Sequence, residues 1–254
     1  MRFSSCSYYS ALHATVATSV CYNMPMSKQR NEQNKRVLMA LGVSSGVAIG
    51  LLSLRFLATG NLDFWFLPWN LILGFMPLPF AYLLVRRLPG TRLLAWQNVL
   101  LAVLWLGFLP NSFYIVSDLI HLRSTGDISL LFDVVMMVAF IWSGFLAGYI
   151  SLYLMHQAAL VRFKRRNAHG LVALALLLCA FAIYLGRYLR WNTWDILFNP
   201  FGLLFDVSER FINPSEHPQA FSTTLVFFLL LSSVYWSIYQ LVLAVKAGQT
   251  SPRD

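Results

Sequence analysis

A chain of 254 residues that is 58% apolar, 15% aromatic and only 11% charged falls well short of the roughly 25% charge of a soluble domain, so lipid is its natural solvent. The formal charge of +9 does not point to nucleic acid, because the basic residues sit in short clusters between apolar runs, where they anchor and orient membrane helices. The length holds one membrane domain and no second globular unit, and Cys6, Cys21 and Cys179 make neither a CxxC motif nor a disulfide framework.

Residues 1–36 read as a disordered or over-extended leader followed by a basic tail. The stretch Met1–Asn23 is rich in Ser, Thr and Tyr and lacks the apolar core of a signal peptide. Met26-Ser27-Lys28-Gln29-Arg30 looks like an ordinary start ahead of a first membrane helix. Residues 37–245 then supply six windows of about 20 apolar residues, the length of one bilayer crossing. They are Val37–Leu57, Phe64–Val85, Leu93–Ile115, Leu130–Met155, Leu171–Leu189 and Thr223–Val245. Pro77 and Pro79 break the second window, and Arg187 weakens the end of the fifth. The fold class is all-α: a polytopic membrane protein of about six transmembrane helices, with residues 246–254 as a short tail.

Orientation follows Lys and Arg. One side carries Lys28, Arg30, Lys35 and Arg36, then Arg86, Arg87 and Arg92, then Arg162, Lys164, Arg165 and Arg166, and finally Lys246 and Arg253. The other side has only Arg123, Arg187, Arg190 and Arg210, with Arg55 snorkelling from the end of the first helix. Both termini are therefore expected in the cytoplasm. The acids run the other way: Asp63, Asp118, Asp127, Asp133, Asp195, Asp206, Glu209 and Glu216 all fall at the outer end. Acids contribute little to topology, so that excess asks for a different account. In the long outer loop, Phe201, Leu204, Phe205, Phe211 and Ile212 recur at helical spacing, as in a short helix lying on the membrane surface.

The polar residues converge on the same end. Asn111, Tyr114, Asp118 and His121 share one stripe if the third helix continues at about 100° per residue. Pro110 suits the first turn of a new half-helix, so the helix is expected to break or kink there. In the fourth helix Asp133, Met137, Gly144, Gly148 and Ser151 fall on one face. Its GxxxG pattern marks a close helix contact, so Asp133 should face the bundle and needs a cation, a proton or donors. Arg187, Arg190, Trp191 and Trp194 form a further stripe at the end of the fifth helix, continued by Asn192 and Asp195. Its arginines either pair with Asp118, Asp133 or Asp195, or hold an anionic headgroup or substrate. Asn70 faces the same way in the second helix and reads first as a packing hydrogen bond. Asp118, His121 and Asp133 are weak candidates for a metal, with no HExxH, GxSxG or P-loop to support an enzyme class. His13, His156, His169 and His217 read as ordinary residues of interfaces and loops. No cofactor is identified.

At these motifs the chain resembles bacterial membrane proteins of domain-of-unknown-function family 1361. The resemblance rests on Trp69-Asn70-Leu71 with Pro77, on Phe108-Leu109-Pro110-Asn111 through Tyr114 and Asp118 to His121, on Asp133 with Gly144 and Gly148, and on Gly186-Arg187 through Arg190-Trp191-Asn192-Thr193-Trp194-Asp195. It spans roughly Val37 to Val245 and departs at Ser112, where such sequences often have a small apolar residue, and in the long leader. It implies a bacterial cytoplasmic membrane and brings no catalytic residues with it. Three functional readings stay open: a binding protein for an anionic small molecule, lipid headgroup or partner; a membrane enzyme, perhaps metal-assisted, using Asp118, His121 and Asp133; and a transporter coupled to protonation of Asp133.

Overall fold

The computed structural model describes residues 26–123 and 129–250, so the expected leader through residue 25 and Asp127 lie outside the described residues. Helix α1 runs Met26–Thr59, which makes residues 26–36 helical. The second span is split into α2 (Phe66–Phe75) and α3 (Pro77–Arg87), with Pro77 opening α3. That is the break expected from the prolines, since proline has no N–H to continue the ladder yet suits a first helical position. A 3₁₀ turn (Leu88–Gly90) leads towards α4 (Trp96–Tyr114), which passes into a 3₁₀ segment, Ile115–His121. Then come α5 (Leu130–Arg162), α6 (Arg165–Tyr188), the short α7 (Asp195–Phe198), α8 (Pro200–Ile212) and α9 (Pro218–Thr250).

Six stretches are long and apolar enough to cross a membrane: Asn34–Thr59, Phe66–Gly90, Trp96–His121, Leu130–Arg162, Arg165–Tyr188 and Pro218–Gly248. No more than 44% of the apolar window of any of them is buried within the protein. The remaining apolar surface needs lipid, as an exposure of this size would not survive in water. The protein is a polytopic, all-helical membrane protein, as its composition indicates.

Of the break or kink expected at Pro110, the break is absent. Pro110 lies inside α4 rather than starting a new helix, and the winding changes only at Ile115. Side chains add hydrogen bonds to carbonyls beside the proline: Thr193 Oγ1 donates to Gly107 O at 3.5 Å, and Asn111 Nδ2 to Phe108 O at 3.1 Å. Such side-chain partners let a membrane helix carry a proline without breaking.

Residues Leu41–Tyr239 form one compact unit. The helix ends outside it, residues 26–40 and 240–250, belong to a second, where Lys35 Nζ meets Glu32 Oε1 at 2.9 Å. Within the larger unit α2 to α6 pack against one another. Their crossing centres on Ser112. A Cβ on Gly144 would lie 2.7 Å from Ser112 O, one on Gly148 2.7 Å from Ser112 Cβ, and one on Gly74 3.3 Å from Ser112 Cα. The GxxxG face of α5 is thus the close contact its sequence indicates. Ser112, the residue that departs from the resembling sequences, donates its hydroxyl to Gly74 O at 2.5 Å, beside the break between α2 and α3. An interrupted helix leaves carbonyls to satisfy, and in lipid only protein groups can do it.

In α8, Asn199 caps the first turn by accepting from Gly202 N–H at 3.1 Å. Phe201, Leu204, Phe205, Phe211 and Ile212 are all exposed. These five side chains make one exposed apolar face of the helix.

Candidate functional site

Asp133 faces the interior, but not the site the sequence assigns to it. Arg55 Nε donates to Asp133 Oδ1 at 2.8 Å and Arg55 Nη2 to Oδ2 at 3.4 Å. Both residues are only 1% exposed. The Arg55 guanidinium also stacks 4.5 Å from the centre of the Phe64 ring. Arg55 therefore does not snorkel. A carboxylate placed among apolar side chains needs a cation close by, and Arg55 sits in the facing end of α1.

The second acid gathers the rest of the cluster. Asp118, 2% exposed, lies in the 3₁₀ segment. Its Oδ1 accepts from Arg187 Nη2 at 2.5 Å and its Oδ2 from Asn70 Nδ2 at 2.8 Å. Asn70 thus makes the interhelical hydrogen bond expected of it, with the Asp118 carboxylate as its acceptor. Arg187 also donates from Nε and Nη2 to Ser117 Oγ, at 3.0 and 2.6 Å, and from Nη1 to His121 Nε2 at 3.0 Å. Its flat face lies 4.7 Å from the Tyr114 ring centre. Gly186 permits this approach, since a Cβ there would stand 2.8 Å from Tyr114 Cε2. Asn111 Nδ2 reaches Thr193 Oγ1 at 3.0 Å and so joins α4 to the segment after α6.

These groups border a pocket of about 340 Å³ lined by Asn70, Asn111, Tyr114, Asp118, His121, Arg187 and Asn192 among the polar residues, with Phe66, Trp69, Trp191 and Trp194 as aromatic walls and Leu73, Leu185 and Leu203 as apolar ones. Trp191 is held in place by Nε1–H donation to Asp206 Oδ2 at 2.7 Å.

Three predicted members lie elsewhere. Asp133 is the first. Arg190 is the second: α6 ends at Tyr188, and Arg190 is exposed with φ of 60°, which lets Trp191 N–H return to Leu185 O at 3.2 Å. The expected stripe through Arg187, Arg190, Trp191 and Trp194 is therefore interrupted, because helical spacing applies only while the helix continues. Asp195 is the third. Its Oδ2 accepts from Asn192 N–H at 2.6 Å and shapes the turn outside the pocket wall. Sequence reasoning passed over Ser117, Thr193 and Trp69. Ser117 could have been found as the neighbour of Asp118 in a run already singled out. His156 is likewise no surface residue: it is buried, with Nδ1 2.7 Å from Tyr235 Oη.

The metal reading loses its third ligand to Arg55. Among the described residues no three His, Cys, Asp or Glu side chains come together in a way that could hold a metal ion. Both Asp118 oxygens are taken by Arg187 and Asn70. His121 Nε2 accepts from a guanidinium that has only donors, so its proton sits on Nδ1 and no imidazole lone pair is free as a base. The arrangement suits recognition better than proton abstraction. The one cation among the lining residues is paired with the one anion, and the other polar lining residues bring amides, a hydroxyl, an imidazole and a phenol beside aromatic surface.

A family model described as protein of unknown function DUF1361 matches residues 69–234. That span contains every lining residue of the pocket except Phe66 and ends within α9. No curated protein and no solved structure matches the chain.

Proposed function

The chain belongs to the DUF1361 family, and from that premise we propose that it is a multi-pass protein of the bacterial cytoplasmic membrane that binds a polar, uncharged, hydroxyl-bearing ring, such as a sugar, in the pocket between α2, α4 and α6. The observation that carries this reading is the Arg187–Asp118 pair. It removes net charge from the wall while Trp69, Trp191 and Trp194 supply flat faces for a ring. Ligand sites of this kind combine mostly apolar and aromatic walls with a few placed polar groups. An anionic ligand, expected from Arg187 and Arg190 together, has less to hold it. Arg187 is already paired, and Arg190 lies off the pocket. The Lys and Arg distribution supports a cytoplasmic position for both termini, and with it a pocket at the outer face.

The test is a titration of the full chain in phosphatidylcholine nanodiscs, followed by tryptophan emission. Glucose, a glucosyl diacylglycerol included in the nanodisc, and inorganic phosphate are the probes. The glucosyl probes are expected to shift the emission, and Trp69→Ala to reduce the shift. A response to free glucose separates a soluble ligand from a lipid-borne one. A response to phosphate with none to either sugar overturns the reading.

A further inference from the structure

At the end of the unit away from the pocket, two basic turns are built into one surface. The last turn of α3 carries Arg86 and Arg87, and the junction of α5 and α6 carries Arg162, Lys164, Arg165 and Arg166; all six are exposed. Arg162 Nη2 donates to Leu88 O at 2.6 Å and ties the two turns together. The first turn is further braced by Asn98, whose Nδ2 donates to Thr91 Oγ1 at 2.8 Å and Arg92 O at 2.9 Å. Among the described residues none of these cations has a carboxylate within 4.0 Å. Six like charges held together without counter-charge repel one another unless an anion joins them.

The surroundings choose the anion. Val161 and Phe163 flank Arg162, Leu94 and Trp96 follow Arg92, and all four are exposed apolar side chains. Tyr82 lies under Arg86, 5.3 Å from its guanidinium carbon. A soluble phosphate would meet the cations and leave that apolar rim bare. A lipid satisfies both, with its phosphate on the arginines and its acyl chains along Leu94, Trp96 and Phe163. A zwitterionic lipid would bring its own ammonium against the cluster. We propose that the two turns joined by Arg162 form a binding site for the phosphate of an anionic phospholipid. This site is separate from the pocket and does not depend on what the pocket holds.

The test uses the full chain purified into nanodiscs of phosphatidylcholine with phosphatidylglycerol, and native mass spectrometry of the lipids that stay with the protein after release. Wild type is expected to retain phosphatidylglycerol over phosphatidylcholine. Each cation removed should weaken that preference about fivefold, so the triple variant Lys164→Gln, Arg165→Gln, Arg166→Gln should lose on the order of a hundredfold. Arg165→Gln alone should lose about fivefold and serves if the triple variant does not fold. Arg86→Gln with Arg87→Gln, on the other turn, should weaken retention as well. Equal retention of the two lipids by wild type overturns the proposal. So does unchanged preference in the α6-side variants, or an effect confined to one turn. Displacement of the lipid by inorganic phosphate at low concentration would reassign the site to a free anion and overturn the lipid.

Discussion

Two arginine–carboxylate pairs sit in the same unit and serve opposite ends. Arg55 and Asp133 are sealed: the arginine side chain is 1% exposed, its Nε meets the carboxylate at 2.8 Å, and Phe64 covers its face. Phe64 belongs to a buried apolar cluster with Ala48, Leu67, Leu71, Met136 and Phe140, and at 1% exposure neither charge is open to a ligand. Arg187 and Asp118 are half open: the arginine side chain is 15% exposed, and its remaining donors go to Ser117 and His121 on the border of a pocket. The sealed pair fastens α1 to α5. The open pair fastens α6 to the 3₁₀ segment and presents the result to a ligand. The chemical pair is one and the same; what separates a fastening from a site is whether hydrogen-bonding groups remain beside it that face free space.

The sealed pair gives the largest expected effect. Asp133→Ala leaves the buried Arg55 charge with only the Asp63 carboxylate, 4.0 Å away, and should cost about 3 kcal/mol, the low end for breaking a buried pair. Replacing both, Arg55→Met with Asp133→Leu, should recover most of that. Thermal unfolding of the purified variants in one detergent measures both. If the double variant is no better than the single one, the pair does more than fasten helices, and the contrast drawn above fails.

The open pair should respond in kind rather than in amount. Asp118→Asn frees the Arg187 charge while leaving an acceptor in place, so the pocket should gain affinity for inorganic phosphate by about tenfold or more, the scale of a hydrogen bond to a charged group. Tryptophan emission against added phosphate would show it. Asp133→Asn should give no such gain, because Arg55 has no access.

The smallest effect belongs to Arg190, the arginine that sequence spacing pairs with Arg187. Its φ of 60° is a left-handed conformation that costs a non-glycine residue on the order of 1 kcal/mol. Arg190→Gly should therefore leave stability unchanged or raise it by up to about 1 kcal/mol, with ligand response at the pocket intact. A loss of that response would return Arg190 to the site.

How much of this could be read beforehand divides along local and long-range lines. The six crossings, the break at Pro77, the inward face of Asp133 and the close packing of Gly144 and Gly148 all follow from composition and short spacing. So does the gathering of Asn70, Asn111, Tyr114, Asp118, His121 and Arg187. Partner choice does not follow. Nothing within a few residues of Asp133 tells Arg55 from Arg187; the choice depends on which helix lies across from α5. The loss of Arg190 from the stripe is local in origin, yet helical periodicity cannot register the reversal that ends α6. The break expected at Pro110 is absent for a related reason, since part of the hydrogen bonding beside it comes from Thr193, far along the chain.

The 3₁₀ winding of Ile115–His121 carries one more consequence. Each residue there turns about 120° and rises about 2.0 Å, against about 100° and 1.5 Å in an α-helix. Asp118 and His121 are consequently stacked in one column, which is how a single guanidinium can touch both. Rewinding the seven residues as α-helix would shorten the segment by about 3.5 Å and swing His121 about 60° out of that column. A guanidinium that meets both groups is thus matched to one winding, and Arg187 acts as a gauge of the segment's pitch.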